Sequence, residues 1–116
     1  MEQSTVIAAL AALAQGSRLD IYRLLVQAGP SGLAAGTIGD MLELPAATLS
    51  FHLNQLRQAA LISNRRESRS VIYAAEYHTM NGLLAYLTEN CCQGDAAGGE
   101  TVACEPLVSL TVSRSR

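Results

Sequence analysis

The sequence predicts a mainly α domain completed by one small β-hairpin. Three observations point there. Five segments carry apolar residues at helical spacing, two short strand-like runs flank a polar turn tipped by an arginine, and glycine or proline punctuates the breaks between the first four segments. A chain of 116 residues with 49% apolar residues can fill one core without help from disulfides or a structural metal.

The first helix is expected over residues 3–14, with Val6, Leu10 and Leu13 at the i, i+4, i+7 spacing of one apolar face, and Gly16 ends it. Ser17 followed by Asp20 reads as a capping-box-like start for a second helix, in which Ile21, Leu25 and Ala28 repeat that spacing. Gly29-Pro30-Ser31-Gly32 stops it. A short third helix over 34–42 is expected to bury Ile38, Met41 and Leu42. Glu43-Leu44 then turns the chain into Pro45, suited to the first position of a fourth helix over 45–59. That helix turns Leu49, Leu53 and Leu56 inward and shows Thr48, Ser50, Asn54 and Arg57 on its other face. Residues 61–66 and 71–74 read as two strands around the turn Glu67-Ser68-Arg69-Ser70. A fifth helix over 76–92 carries Met80, Leu83, Leu84 and Leu87 on its apolar side.

Two short helices joined by a tight turn, the second with a polar outer face, make a helix-turn-helix, and a hairpin directly after the second helix is a wing. The expected fold class is therefore a winged helix-turn-helix. A helix of that kind is narrow enough to enter a major groove with its amino-terminal side chains on base edges. The candidate DNA-binding residues are Ala47, Thr48, Ser50, Phe51, His52, Asn54 and Arg57 on the fourth helix and Arg65, Arg66 and Arg69 on the wing. Phe51 reads equally as a core residue or as an apolar contact to a thymine methyl. His52 reads as a DNA-proximal or a helix-packing residue, and Thr48 and Arg57 as base or phosphate contacts.

The net charge of −2 argues at first against a nucleic-acid partner, because phosphate contacts demand cations. Distribution matters more than the total. Arg57, Arg65, Arg66 and Arg69 fall within thirteen positions that hold one acid, Glu67, and Arg18 and Arg23 form a second basic pair, so a basic edge on an acidic body is expected. The first and fifth helices together offer more apolar surface than a small domain leaves exposed. A homodimer through Val6, Leu10, Leu13, Leu83, Leu84 and Leu87 is the expected consequence. No apolar run approaches the ~20 residues of a membrane span. Residues 6–14 mimic a signal-peptide core but follow Glu2 instead of a positive segment, so a cytoplasmic location and reduced thiols are expected. No serine, histidine and acid constellation or phosphate-binding glycine loop stands out, and the reading is of a non-enzyme.

Gly16-Ser17-Arg18-Leu19 opening the second helix, Ser50-Phe51-His52-Leu53-Asn54-Gln55-Leu56 in the fourth, Ala60-Leu61-Ile62 after it and the arginine-rich wing resemble the ArsR/SmtB family of metal-responsive repressors over roughly residues 4–92. The resemblance implies a homodimer that binds an inverted-repeat operator and leaves it when a metal or metalloid inducer binds. The third helix lacks the cysteine cluster of many arsenic-responsive members, and Glu76 and His78 lack the partners found in zinc-sensing ones. Cys91, Cys92 and Cys104 look instead like the arsenical-responsive subgroup with carboxy-terminal cysteines, though with a longer spacing before the third.

The chemistry of the three thiols agrees with that implication. Trivalent arsenic or antimony is soft and is satisfied by three thiolates, whereas structural zinc wants a fourth ligand. Adjacent cysteines have Cα atoms only ~3.8 Å apart, below the ~4.4–6.8 Å of ordinary disulfides, so Cys91 and Cys92 suit joint ligation better than a mutual bridge. Cys104 can return to them because the intervening glycine-rich link has a reach of roughly 20 Å. The expected organisation is a DNA-binding and dimerisation domain over 1–92 and a flexible cysteine-containing tail over 93–116. As(III) or Sb(III) is the expected inducer. The alternatives are a methylarsenite sensor using Cys91 and Cys92, a thiol redox repressor in which Cys104 joins one of the pair, and zinc or cadmium bound with His78 or Glu89.

Overall fold

The computed structural model describes residues 1–94 of the chain. They form α1 (Gln3–Leu13), α2 (Gly16–Ala28), β1 (Leu33–Ala34), α3 (Ala35–Leu42), α4 (Ala46–Gln58), β2 (Ile62–Glu67), β3 (Ser70–Ala75) and α5 (Tyr77–Leu87). The chain divides into two compact units, Met1–Tyr86 and Leu87–Arg116.

The core of the first unit is built where α2 and α4 face each other. Ile21, Tyr22 and Leu25 of α2 and Leu49, Leu53 and Leu56 of α4 are buried, with Ile38 of α3 and Leu61 and Ile62 at the start of β2 completing the cluster. The inward stripe of α4 is the one its leucine spacing predicts. α1 differs. It buries Val6, Ala9 and Ala12 and leaves Leu10 exposed, because small alanines allow α1 to lie close on α2 and α4 where a leucine would hold it off. Met41, expected inside, is 57% exposed, since the eight residues of α3 have one narrow inward face, taken by Ile38.

Several boundaries move. α2 is capped by Gln15, whose side chain accepts from the Arg18 amide at 2.9 Å, and the expected Ser17 lies inside the helix. Pro45 is the N-cap of α4 and Ala46 its first helical residue. α5 ends at Leu87, short of the expected residue 92, and the positive φ of Asn90 and Cys92 (61° and 68°) keeps the helix from continuing. The expected hairpin is the larger part of a three-stranded antiparallel sheet ordered β1-β3-β2. Leu33 and Ala34, placed by periodicity around the start of the third helix, pair with Tyr73 and Ile72 of β3.

The helix-turn-helix angle is set by backbone. Glu43 ends α3 in the left-handed region, and the Leu44 amide donates back to the Gly39 carbonyl at 3.0 Å. A Cβ at Gly39 would stand 3.3 Å from both the Leu44 carbonyl oxygen and a Leu49 methyl, so the missing side chain lets α3 and α4 close on each other. After α4, Ala60 takes φ 62° and the Leu61 amide returns to the Leu56 carbonyl at 3.1 Å, which turns the chain directly into β2. None of the described helices is long and apolar enough to cross a membrane.

Candidate nucleic-acid interface

At 3.6 residues per turn, burial of Leu49, His52, Leu53 and Leu56 fixes which side of α4 faces out. Ala47, Thr48, Ser50, Phe51, Asn54 and Arg57 are all exposed on that side. Asn54 accepts from Arg57 Nη2 at 3.2 Å, which draws the guanidinium along the helix surface. Of the seven positions expected to face DNA on this helix, His52 alone is turned inward, at 7% exposure. Its partner explains why.

Arg18 leaves α2 with Nε donating to the Ala12 carbonyl at 2.7 Å and sets Nη1 3.3 Å from His52 Nδ1. A guanidinium has only donors, so Nδ1 must accept and the imidazole is neutral with its proton on Nε2. Burial, and after it the charge of Arg18, lower the His52 pKa from its ordinary value. Arg18 therefore pins α1, α2 and α4 together and does not join a basic DNA-facing edge as its place in the sequence suggested. Arg23 of α2 is exposed. The ring of Phe51 meets that of His52 edge-on, with centroids 5.5 Å apart and planes at 62°.

The wing pairs Arg65 with Ile72, Arg66 with Val71 and Glu67 with Ser70, leaving Ser68 and Arg69 as its two-residue tip. Ser68 supplies the positive φ (59°) that such a turn needs. The three wing arginines are not equivalent. Arg65 donates to Glu67 Oε2 at 2.7 Å and to the Ser31 carbonyl at 2.8 Å, so it ties the wing to the loop after α2. Arg66 and Arg69 are exposed and have no side-chain partner among the described residues, which leaves both free for a phosphate backbone.

Of the residues expected at a dimer interface, Val6 and Leu83 lie in the protomer's own core, Leu13 and Leu84 are half-buried, and Leu10 and Leu87 are exposed. Ile7, at 58% exposure, is the large apolar side chain on α1 that sequence reading passed over; its i+3 relation to Leu10 was the available signal. Cys91 is a free, exposed thiol whose Sγ lies 2.8 Å from that of Cys92, and Cys92 is disulfide-bonded. Cys104 and the expected tail beyond Gly94 lie outside the described residues. Among the described residues no group of three histidine, cysteine, aspartate or glutamate side chains is arranged to hold a metal ion.

Comparison with known proteins agrees with this geometry. A helix-turn-helix domain model matches residues 13–64, from the end of α1 into the wing. The uncharacterized HTH-type transcriptional regulator YceK of Bacillus subtilis is 37% identical over 59 residues, 51% of this chain and 58% of that protein, so the chain spans little more than half of that relative. NolR from Sinorhizobium fredii is 30% identical, with a TM-score of 0.59 over 74% of this chain and 83% of its own. The chain carries a helix-turn-helix domain over residues 13–64. Its winged fold is similar to that of an ArsR-like transcriptional regulator from Rhodococcus sp. RHA1, which superposes with a TM-score of 0.69 over 96% of this chain and 93% of its own at 19% identity. With this helix-turn-helix the arrangement has a ready chemical use: an outward helix of short polar side chains and a wing with two arginines that have no side-chain partner among the described residues.

Proposed function

We propose that the protein is a homodimeric transcriptional repressor of ArsR type that binds an inverted-repeat operator in the cytoplasm and is released by a thiol-reactive signal. The observation that supports DNA binding best is the division of labour on α4, whose apolar stripe is committed to the core while every other candidate contact except His52 is exposed. The wing adds Arg66 and Arg69 as phosphate contacts. Exposed Ile7 and Leu10 on α1 offer the apolar surface for a second copy.

For the signal, the reading is a trivalent arsenical or antimonial held by Cys91, Cys92 and Cys104. Its support is chemical: three soft donors in the chain, two of them adjacent in sequence. Ligation requires Cys92 in its reduced state. A redox reading of the same thiols is favoured by the exposure of Cys91, because oxidant sensing needs a thiol that an oxidant can reach. In either case linkage demands reciprocity, so the free dimer binds the inducer more tightly than the operator-bound dimer does.

Fluorescence anisotropy of the reduced protein on an operator selected from random duplexes tests both levels. Selection of a two-fold symmetric sequence supports the repressor, and failure to enrich any sequence refutes it. Release by arsenite or antimonite that Cys104→Ser abolishes supports a three-thiolate site. Release by methylarsenite alone, retained in Cys104→Ser, assigns the response to Cys91 and Cys92. Release by peroxide without metalloid assigns it to thiol oxidation.

A further inference from the structure

An exposed phenylalanine on an ordinary surface needs no explanation. Phe51 is placed differently. At about 100° per residue, Ala47, Phe51, Asn54 and Gln58 fall within roughly 60° of one another on α4 and directly opposite the buried stripe of Leu49, His52, Leu53 and Leu56. They form the centre line of the outer face, the line that goes deepest into a groove when a helix docks on DNA. Its amino-terminal half is apolar and its carboxy-terminal half carries two carboxamides. Phe51 is 56% exposed, yet its ring is held edge-on by His52, which is itself fixed by Arg18 and through it by the Ala12 carbonyl. Ser50, Thr48 and Asn54 around it are short and polar, so the ring stands alone on this helix instead of joining an apolar patch suited to a protein partner.

We propose that Phe51, backed by Ala47, reads the C5 methyl group of a thymine in each operator half-site. The inference rests on the DNA-binding reading and adds to it the base and the atom that are recognised. Thymine is the one base that presents a methyl group in the major groove, and an aromatic edge or face against that methyl removes both from water. Arg18 and His52 act as positioning residues: they touch no base but set where the ring stands.

The test separates this inference from the reading beneath it. An operator is first selected with the wild-type protein from random duplexes, and each thymine is then replaced singly by deoxyuridine, which keeps every hydrogen-bonding group and lacks only the methyl. Burial of one methyl corresponds to about a fourfold change in affinity. One thymine per half-site is expected at which uracil weakens wild-type binding by about that factor, while Phe51→Ala binds the thymine and uracil operators equally and Phe51→Leu shows an intermediate ratio. Thermal melting of Phe51→Ala is expected to match wild type, because the ring is largely outside the core. Wild-type binding indifferent to uracil at every position overturns the inference with DNA binding intact, and so does an equal uracil penalty in Phe51→Ala, which would assign the effect to DNA shape. Failure to select any operator overturns the DNA-binding reading and this inference with it.

Discussion

Arg18 and His52 meet across the packing of α2 on α4, with Nη1 of the guanidinium 3.3 Å from Nδ1 of the imidazole. A permanently charged donor beside a buried ring makes the neutral histidine a condition of the fold. The unfolded chain takes up a proton near the ordinary histidine value of 6.5, whereas the folded protein resists until lower pH. In the window below 6.5 the unfolded state thus binds more protons, and stability falls as pH falls. Urea midpoints measured from pH 8 to pH 5 are expected to hold steady above pH 7 and decline below 6.5. His52→Gln, whose side-chain oxygen can accept from Arg18 without titrating, is expected to flatten that decline. A decline of equal slope in both proteins would remove His52 as its source.

The same pair shows where sequence reading reaches its limit. The leucines of α4 are large, periodic and inward, so the helix and its outer face were legible from spacing. His52 sits beside that stripe at an angle where either side is open to it, and only the arrival of Arg18 from another helix decides. α1 was legible as a helix but not in its rotation, because Ala9 and Ala12 win the inward position through close packing and not through hydrophobicity. β1 has two residues, too few for alternation to show, and exists because Tyr73 and Ile72 offer it an edge. The wing's arginines were visible as a cluster, while the difference between Arg65 and its neighbours depends on Ser31, 34 positions away in the chain.

Two positions with left-handed backbone are expected to respond in opposite directions. Gly32 has φ 72°, and a Cβ there would run into the Tyr73 carbonyl where β1 joins β3. Gly32→Ala is expected to destabilise by about 1–3 kcal/mol, from the backbone conformation and the displaced sheet edge together. Ala60 holds φ 62° at the end of α4 with its side chain exposed. Ala60→Gly relieves that conformation and is expected to stabilise by up to about 1 kcal/mol. Chemical denaturation of the two variants beside wild type checks both signs, and a stabilised Gly32→Ala would contradict the packing at Tyr73.

Tyr22 is buried in α2, and its hydroxyl has no hydrogen-bond partner among the described residues. Burial, with a smaller contribution from Tyr77, pushes its pKa up to about 12. An unpaired buried hydroxyl costs more than it returns, so Tyr22→Phe is expected to leave stability unchanged or raise it by about 1 kcal/mol. Tyr77 is the contrast, because its hydroxyl donates to the Val26 carbonyl at 3.1 Å. Tyr77→Phe leaves that half-buried carbonyl without its donor and is expected to cost about 0.5–1.5 kcal/mol. Equal effects of the two substitutions in thermal or urea unfolding would show that the hydrogen bond is not what distinguishes them.

The wing separates charge from support. Arg66 and Arg69 are exposed and have no side-chain partner among the described residues, so each is expected to neutralise a phosphate and release a counterion on binding. Replacing either by alanine is expected to weaken binding across operator variants alike and to reduce the slope of log affinity against log salt by about 0.9 per phosphate lost. Arg65 is already committed to Glu67 and to the Ser31 carbonyl. The exposed ion pair with Glu67 contributes little by itself, well under about 1 kcal/mol, but the bond to Ser31 anchors the wing at its base. Arg65→Ala is accordingly expected to leave the salt slope near wild type while raising amide exchange in β2 and β3. Salt titrations of the three variants on one operator decide the matter. A slope lowered as much by Arg65→Ala as by Arg66→Ala would place Arg65 on the phosphates and leave the Ser31 bond as a contact of the free protein.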